Sequence, residues 1–270
     1  MSIKRRVAES LGALHLRRPA FALLERAQAL RALPEIVDRR PQIGPDGLPL
    51  PPPLLRVKVA GTADRSVFLA QSAEAAETIR EALAACGDPI EEVKSLLDFG
   101  CGCGRVLRQW VSLPATDVHG TDYNPDLITW CRENLRFATF GVNGLAPPLA
   151  YEDERFDLVF AISVFTHLTA DLERRWIAEL YRVLRPGGRL LLSTRGTAWV
   201  DHLTRDEREA YLAGDRVDRY AEAVGSNLMG VFHPVDYVRE RMAPGFALTS
   251  TEPAAFAGQQ DLHILTKRSG

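Results

Sequence analysis

SLLDFGCGCGRVLRQW, residues 95–110, is the stretch around which the rest of this chain falls into place. Leu96, Leu97 and Phe99 read as a short buried strand, and Asp98 interrupts it with a carboxylate. Gly100, Gly102 and Gly104 come next at alternate positions, and Arg105 to Trp110 returns to helical character. Alternating glycines remove side chains where a backbone turns sharply and where a ligand lies against it. A strand-turn-helix unit of this kind is expected to present backbone N–H groups at a helix N-terminus, at the mouth of a parallel sheet.

Glycine spacing and flanking charge separate the two cofactor classes that use such a turn. A dinucleotide fingerprint reads G-x-G-x-x-G, with the pyrophosphate on the helix N-terminus. Here the spacing is G-x-G-x-G, and Asp98 stands two residues before the first glycine. A fixed carboxylate repels a pyrophosphate but attracts a sulfonium that carries a free amino group. The turn therefore favours S-adenosylmethionine over NAD.

On these residues LLDFGCGCGR resembles the first motif of class I S-adenosylmethionine-dependent methyltransferases. The resemblance implies a Rossmann-like α/β fold, a doubly wound, mostly parallel sheet of about seven strands with an antiparallel last strand. It implies that Asp98, Gly100, Cys101, Gly102, Gly104 and Arg105 hold S-adenosylmethionine, with S-adenosylhomocysteine as the product.

Asp117 to Thr121 reads as the second strand and ends in Asp122, 22 residues beyond Gly100. A carboxylate there can accept both hydroxyls of a ribose, since it supplies two oxygens in one plane. Asp122 as a simple cap for the helix opening at Pro125 is the alternative, and Asp126 also lies in that first turn. Tyr123 is placed to lie against an adenine face. After a third strand, Phe137 to Val142, the family commonly has an acid, and this chain offers Asn143 with Gly144. An amide can still accept through its carbonyl.

Phe156 to Ile162 is the clearest buried strand, and Ser163 to Leu168 lies at its C-terminal end, where open α/β sheets bind ligands. FDLVFAISVFTHL resembles the fourth-strand region of bacterial small-molecule methyltransferases, which assigns Ser163 to the cofactor side. It lacks both the Asn/Asp-Pro-Pro-Tyr/Phe signature of amino-group methylation and the Pro-Cys of cytosine-C5 enzymes. Asp171 to Leu184 is an amphipathic helix stopped by Pro186-Gly187-Gly188, and Arg189 to Thr194 is the fifth strand. LYRVLRPGGRLLLST is a further family-like stretch. Residues 197–232 break the alternation as a polar, helical, lid-like insertion. A helix from His233 to Met242 and closing strands Phe246–Ser250 and Asp261–Lys267 complete the chain.

Upstream, residues 1–53 divide from a catalytic domain of residues 54–270. Residues 1–40 are helical in flavour and carry nine Lys/Arg against four Asp/Glu, so this basic segment is a candidate contact for an anionic membrane surface or a protein partner. Pro41 to Pro53 holds six prolines and reads as a stiff, extended connector, with Leu54 to Val59 as a short strand. Asp64 to Cys86 reads as a helix stopped by Gly87. By the family resemblance that helix lies across the cofactor, which nominates Phe68 and Gln71, with Ser72, for the substrate mouth.

Composition narrows the partners. A net charge of −2 offers no global field for nucleic acid. No apolar run approaches a membrane span or a signal-peptide core, so the expected compartment is the cytoplasm. The four cysteines, Cys86, Cys101, Cys103 and Cys131, read as reduced packing residues, and no metal-ligand cluster is visible. The implied chemistry is a direct SN2 methyl transfer to a small molecule such as a sugar, a lipid-linked compound or a secondary metabolite, assisted by alignment and desolvation. Should the acceptor need a base, His167 and then His233 are the candidates, with Asp201 and Tyr237 behind them near the substrate. A non-catalytic binding module on the same fold and an NAD-dependent oxidoreductase are the alternatives.

Overall fold

The computed structural model describes residues 42–113, 115–220 and 229–268. The basic N-terminal segment lies outside the described residues. β1 (Ser95–Phe99), β2 (Asp117–Asp122), β3 (Thr139–Val142), β4 (Phe156–Ala161) and β5 (Leu184–Thr194) pair in parallel. β6 (Val217–Arg219) and β7 (Gly230–Phe232) form a separate antiparallel ribbon. β8 (Phe246–Phe256) and β9 (Gln260–Lys267) complete the main sheet, in the order β3-β2-β1-β4-β5-β9-β8, with β9 antiparallel to both neighbours. This is the doubly wound sheet expected of the glycine turn, with order reversing between β1 and β4.

Alternation along each strand sends consecutive side chains to opposite faces. Leu96, Phe160, Leu191 and Ile264 pack on one face with Ile79 and Leu83 of α2 (Arg65–Ala85) and Ile128 and Cys131 of α3 (Pro125–Asn134). Leu97, Val159, Leu190, Leu192 and Leu265 pack on the other with Trp176, Ile177 and Leu180 of α4 (Ala170–Val183). α2 starts where Asp64 Oδ1 accepts from the N–H groups of Ser66 (2.7 Å) and Val67 (3.1 Å), satisfying two orphan donors.

Three expectations change. Leu54–Val59 is not a strand but lies in α1 (Pro53–Ala60), which begins with Pro53 in its first turn and ends at Gly61 with φ 69°. The alternation of apolar and basic residues there mimics a strand, yet proline pre-sets helical φ and glycine supplies the left-handed stop. The Arg56 Nε and Nη1 donate to the Ala63 and Pro51 carbonyls, holding the helix ends.

The proline-rich stretch is not a free connector either. Its Pro45-Asp46-Gly47 turn closes a bridge between Ile43 and Pro49, and Asp46 grips the buried Arg108 with both oxygens (2.6 and 2.9 Å). A boundary at residue 53 therefore cuts through packed structure.

Residues 197–232 are not uniformly helical. Besides a 3-10 turn (Thr197–His202) and α5 (Arg205–Leu212) they supply the β6–β7 ribbon, and Phe232 bridges in parallel to Arg195 at the end of β5. After β7, α6 (Val235–Tyr237) runs into a wide helical turn, Val238–Met242, that packs under α4.

Candidate functional site

The glycine turn is left-handed three times, with φ of 84° at Gly100, 57° at Gly102 and 70° at Gly104. Side chains are excluded by packing as well as by φ. A Cβ on Gly100 would overlap Val164 Cγ2, and one on Gly102 would sit 2.7 Å from Val59 Cγ2. Thus α1 and the segment after β4 both close on the turn. The chain leaves it through a short 3-10 turn, Leu107–Trp110, in place of the expected α-helix start.

The amides of the turn are largely committed. Gly100 N–H and Cys101 N–H donate to the Thr121 carbonyl (2.7 and 3.0 Å), Gly104 N–H to the Cys101 carbonyl (2.9 Å), and Gly102 N–H to Asp122 Oδ2 (3.0 Å). The open row of N–H donors expected at a helix N-terminus is therefore missing from these four positions. A pyrophosphate depends on such a row.

Acceptors dominate instead. Asp122 is buried at the end of β2, its Oδ1 accepting from Asn124 N–H (2.8 Å) and its Oδ2 from Gly102. Burial pushes its carboxyl up, and the backbone donors oppose that. Asp98 is 3% exposed and accepts no hydrogen bond from any described residue. Burial holds its carboxyl well above the usual carboxylate range; Arg105 opposes this and Asp122 adds to it. The carboxyl is thus drawn toward its neutral form until a cation arrives, a refinement of the fixed negative charge expected from sequence. Asn143 Oδ1 and Thr121 Oγ1 are likewise buried without a partner, while Asn143 Nδ2 donates to the Gly144 carbonyl (2.7 Å). Tyr123, by contrast, is 51% exposed beside this edge.

Other expected residues are placed less directly. Cys101 is buried, with its thiol pushed up by burial, and only its backbone belongs to the turn. Arg105 Nη1 donates to the Gln71 carbonyl (2.9 Å), and the Ser72 hydroxyl donates to the Arg105 carbonyl, so α2 is tied to the turn through its backbone. Phe68 is fully buried with Leu50, Cys103 and Leu127, which makes it a core residue and removes it from any substrate mouth. Val59 of α1 occupies the position over the turn that sequence reasoning gives to α2. The signal for that placement is the Pro-Pro-Pro start of α1 together with its Gly61 stop.

At the end of β4, Ser163 adopts φ 63°, unusual for a residue with a side chain. It is held there by two residues, Ser193 and Gln260, that are bonded to each other. Ser163 N–H donates to Ser193 Oγ (2.7 Å), Ser163 Oγ lies 2.9 Å from Gln260 Nε2, and Ser193 Oγ donates to Gln260 Oε1 (2.7 Å).

The two histidines differ. His167 Nδ1 lies 2.7 Å from the Met229 carbonyl, an acceptor only, so Nδ1 carries the proton and Nε2 keeps its lone pair. Burial, with Arg195 adding to it, lowers its pKa to about 4. His233 is fully buried, its Nε2 2.7 Å from Glu173 Oε2. Glu173 also receives Tyr237 OH (2.8 Å) and pairs with Arg216 Nη1 (3.0 Å). His233 and Tyr237 therefore belong to a buried cluster that pins the insertion and α6 to α4. Asp201 is exposed and faces Arg208 at 3.6 Å.

Residues 97–192 match a family model described as a methyltransferase domain. Together with the strand order, this match supports a class I S-adenosylmethionine-dependent methyltransferase fold for this part of the chain. It is 36% identical over 104 residues to the sterol 24-C-methyltransferase erg6 of Aspergillus fumigatus, covering 37% of this chain and 27% of that protein. It is 27% identical over 124 residues to phosphoethanolamine N-methyltransferase 2 of Caenorhabditis elegans, covering 44% and 28%. The S-adenosylmethionine-dependent methyltransferase of Mesorhizobium loti shares its fold, with TM-score 0.50, 17% identity, and 64% and 90% of the two chains covered. The chain spans less than half the length of the curated relatives it matches.

The family match points to S-adenosylmethionine as the cofactor. The donor set fits it: buried acceptors without partners suit a ligand rich in N–H and O–H donors and positive charge. No helix among the described residues is long and apolar enough to cross a membrane.

Proposed function

We propose that this chain methylates a small-molecule acceptor, with the cofactor held by the β1–β3 edge and the acceptor received between the end of β4 and the 197–232 insertion. The observation that carries this is Asp98, a buried carboxyl without a hydrogen-bond partner among the described residues, facing the same turn that fixes Asp122. In this reading Asp122 takes the ribose hydroxyls, Asp98 the cationic amino-acid end, Asn143 Oδ1 the adenine amino group, and Tyr123 the ring face. Bound there, the cofactor supplies an electrophilic methyl group; the protein's part is alignment and exclusion of water.

His167 is neutral at pH 7, and its Nε2 can accept a hydrogen bond from an acceptor O–H or N–H and aim its lone pair. With its pKa near 4 it is a weak base, so orienting is the role its surroundings favour. The buried His233 supports a positioning role in place of the base role expected from sequence.

Calorimetric titration of the whole chain tests the cofactor half: S-adenosylhomocysteine should bind and NADH should not. Radiolabel transfer from S-adenosylmethionine into the small-molecule fraction of a cell extract tests the acceptor half. Label found only in protein or nucleic acid, or never leaving the cofactor, would sink the small-molecule assignment.

A further inference from the structure

The arginines sunk between elements of this fold meet carboxylates at two places: Arg108 is gripped by Asp46, and Arg216 by Glu173 and Asp218. Arg195, directly after β5, is different. It donates only through Nη1, at long range, to the Thr166 (3.4 Å) and Met229 (3.3 Å) carbonyls. Among the described residues no carboxylate pairs with it, and its Nε and Nη2 meet no acceptor. The guanidinium lies beside the paired rings of Trp199 (5.6 Å) and Phe232 (6.0 Å), which are 6.0 Å from each other, with a second cation, Arg219, over the same Phe232 (5.0 Å). Burial, and then Arg219, lower its pKa to about 10.

Arg195 is half-buried, and a guanidinium partly withdrawn from water without a counter-ion loses hydration that aromatic faces return only in part. The position is also telling. Thr166 stands two residues after Val164, whose side chain fills the space over Gly100, so Arg195 is bonded to the segment that packs over the glycine turn. Gly230 approaches the guanidinium closely: a Cβ there would lie 3.0 Å from Nη1. Three elements, β5, the turn after β4 and β7, thus converge on one under-coordinated cation.

We propose that Arg195 anchors the methyl acceptor, which carries an anionic group, a carboxylate or a phosphate, received on the open Nε–Nη2 edge of the guanidinium. Planar guanidinium edges suit such bidentate anions. This rests on the methyltransferase reading above and names its substrate class.

The test uses the full chain saturated with S-adenosylhomocysteine and three probes of one shape: benzoate, phenyl phosphate and neutral benzamide, titrated by calorimetry or ligand-observed NMR. At least one anion should bind at least tenfold more tightly than benzamide. Arg195→Gln should remove that preference, Arg195→Lys should keep part of it, and both variants should bind S-adenosylhomocysteine as the wild type does. Anions that bind no better than benzamide, or equally well to Arg195→Gln, overturn the proposal. Failure of the wild type to bind S-adenosylhomocysteine shows itself before any probe is added and strikes the underlying function instead.

Discussion

The two ends of the binding cleft are built by different means. At the β1–β3 edge the backbone does the shaping: three left-handed glycines and two short acidic side chains lie within 25 residues of one another in sequence. At the opposite end, Arg195, His167, Glu173 and His233 are long side chains brought together from β5, the turn after β4, α4 and β7. The first half tolerates no added atoms, and the second tolerates no lost partners. On the proposed reading, the cofactor would be met by fixed backbone and the acceptor by side-chain clusters assembled from distant parts of the chain.

The contrast can be broken most sharply at Glu173. Glu173→Ala leaves His233 buried without its carboxylate and Arg216 with Asp218 alone, and unfolding free energy should fall by about 3–5 kcal/mol, measured by urea denaturation with S-adenosylhomocysteine affinity followed in parallel. If stability barely changes, the cluster is not what holds the insertion down.

Gly100→Val should come next. It forces a β-branched residue to positive φ and into Val164, costing roughly 2–5 kcal/mol from conformation and overlap together and abolishing S-adenosylhomocysteine binding in calorimetry. Retained binding would mean the turn is softer than its φ values suggest.

Acid should loosen the side-chain half. His167 and His263 have folded pKa values lowered to about 4 and about 3, so the unfolded chain binds more protons once pH drops below the ordinary histidine range. The share of stability set by these two rings should be constant above about pH 6.5 and then fall as pH decreases toward about 4, while Asp98, with its raised carboxyl, works in the opposite sense. The slope should approach about 1.4 kcal/mol per pH unit for each histidine, read from denaturant midpoints across that window. A flat profile there would show both rings stay solvated.

Asp122→Asn keeps one acceptor and turns an amide N–H toward the other backbone donor, and should weaken S-adenosylhomocysteine binding about tenfold, or ~1.4 kcal/mol, and lower the melting temperature with it. The smallest effect belongs to Asp201→Ala, where an exposed pair with Arg208 is lost: stability should move by less than about 0.5 kcal/mol, and a larger change would reopen a role for this residue.

Legibility divides along the same line. LLDFGCGCGR, Asp122 and the FDLVFAI strand can be read because each encodes local geometry: glycine where φ must be positive, a carboxylate at a strand end, an apolar run where both faces are covered. α1 reads as a strand because Leu55, Val57 and Val59 alternate with basic residues, and only the Pro53 start and Gly61 stop betray the helix. Resemblance puts Phe68 at the mouth, yet it is core, because helix α2 meets the turn through backbone bonds at Gln71 and Ser72.

By itself the sequence determined the strand order's starting point, the cofactor and the glycines that shape its turn, since these depend on neighbours a few residues apart. Only the tertiary structure decided that the turn's amides are committed inward and that His233 is sealed against Glu173. It also decided that neither Asp98 nor Arg195 meets a charged partner within bonding reach among the described residues. Pairing between buried polar groups depends on which distant elements the sheet brings side by side, and no local pattern of residues records that.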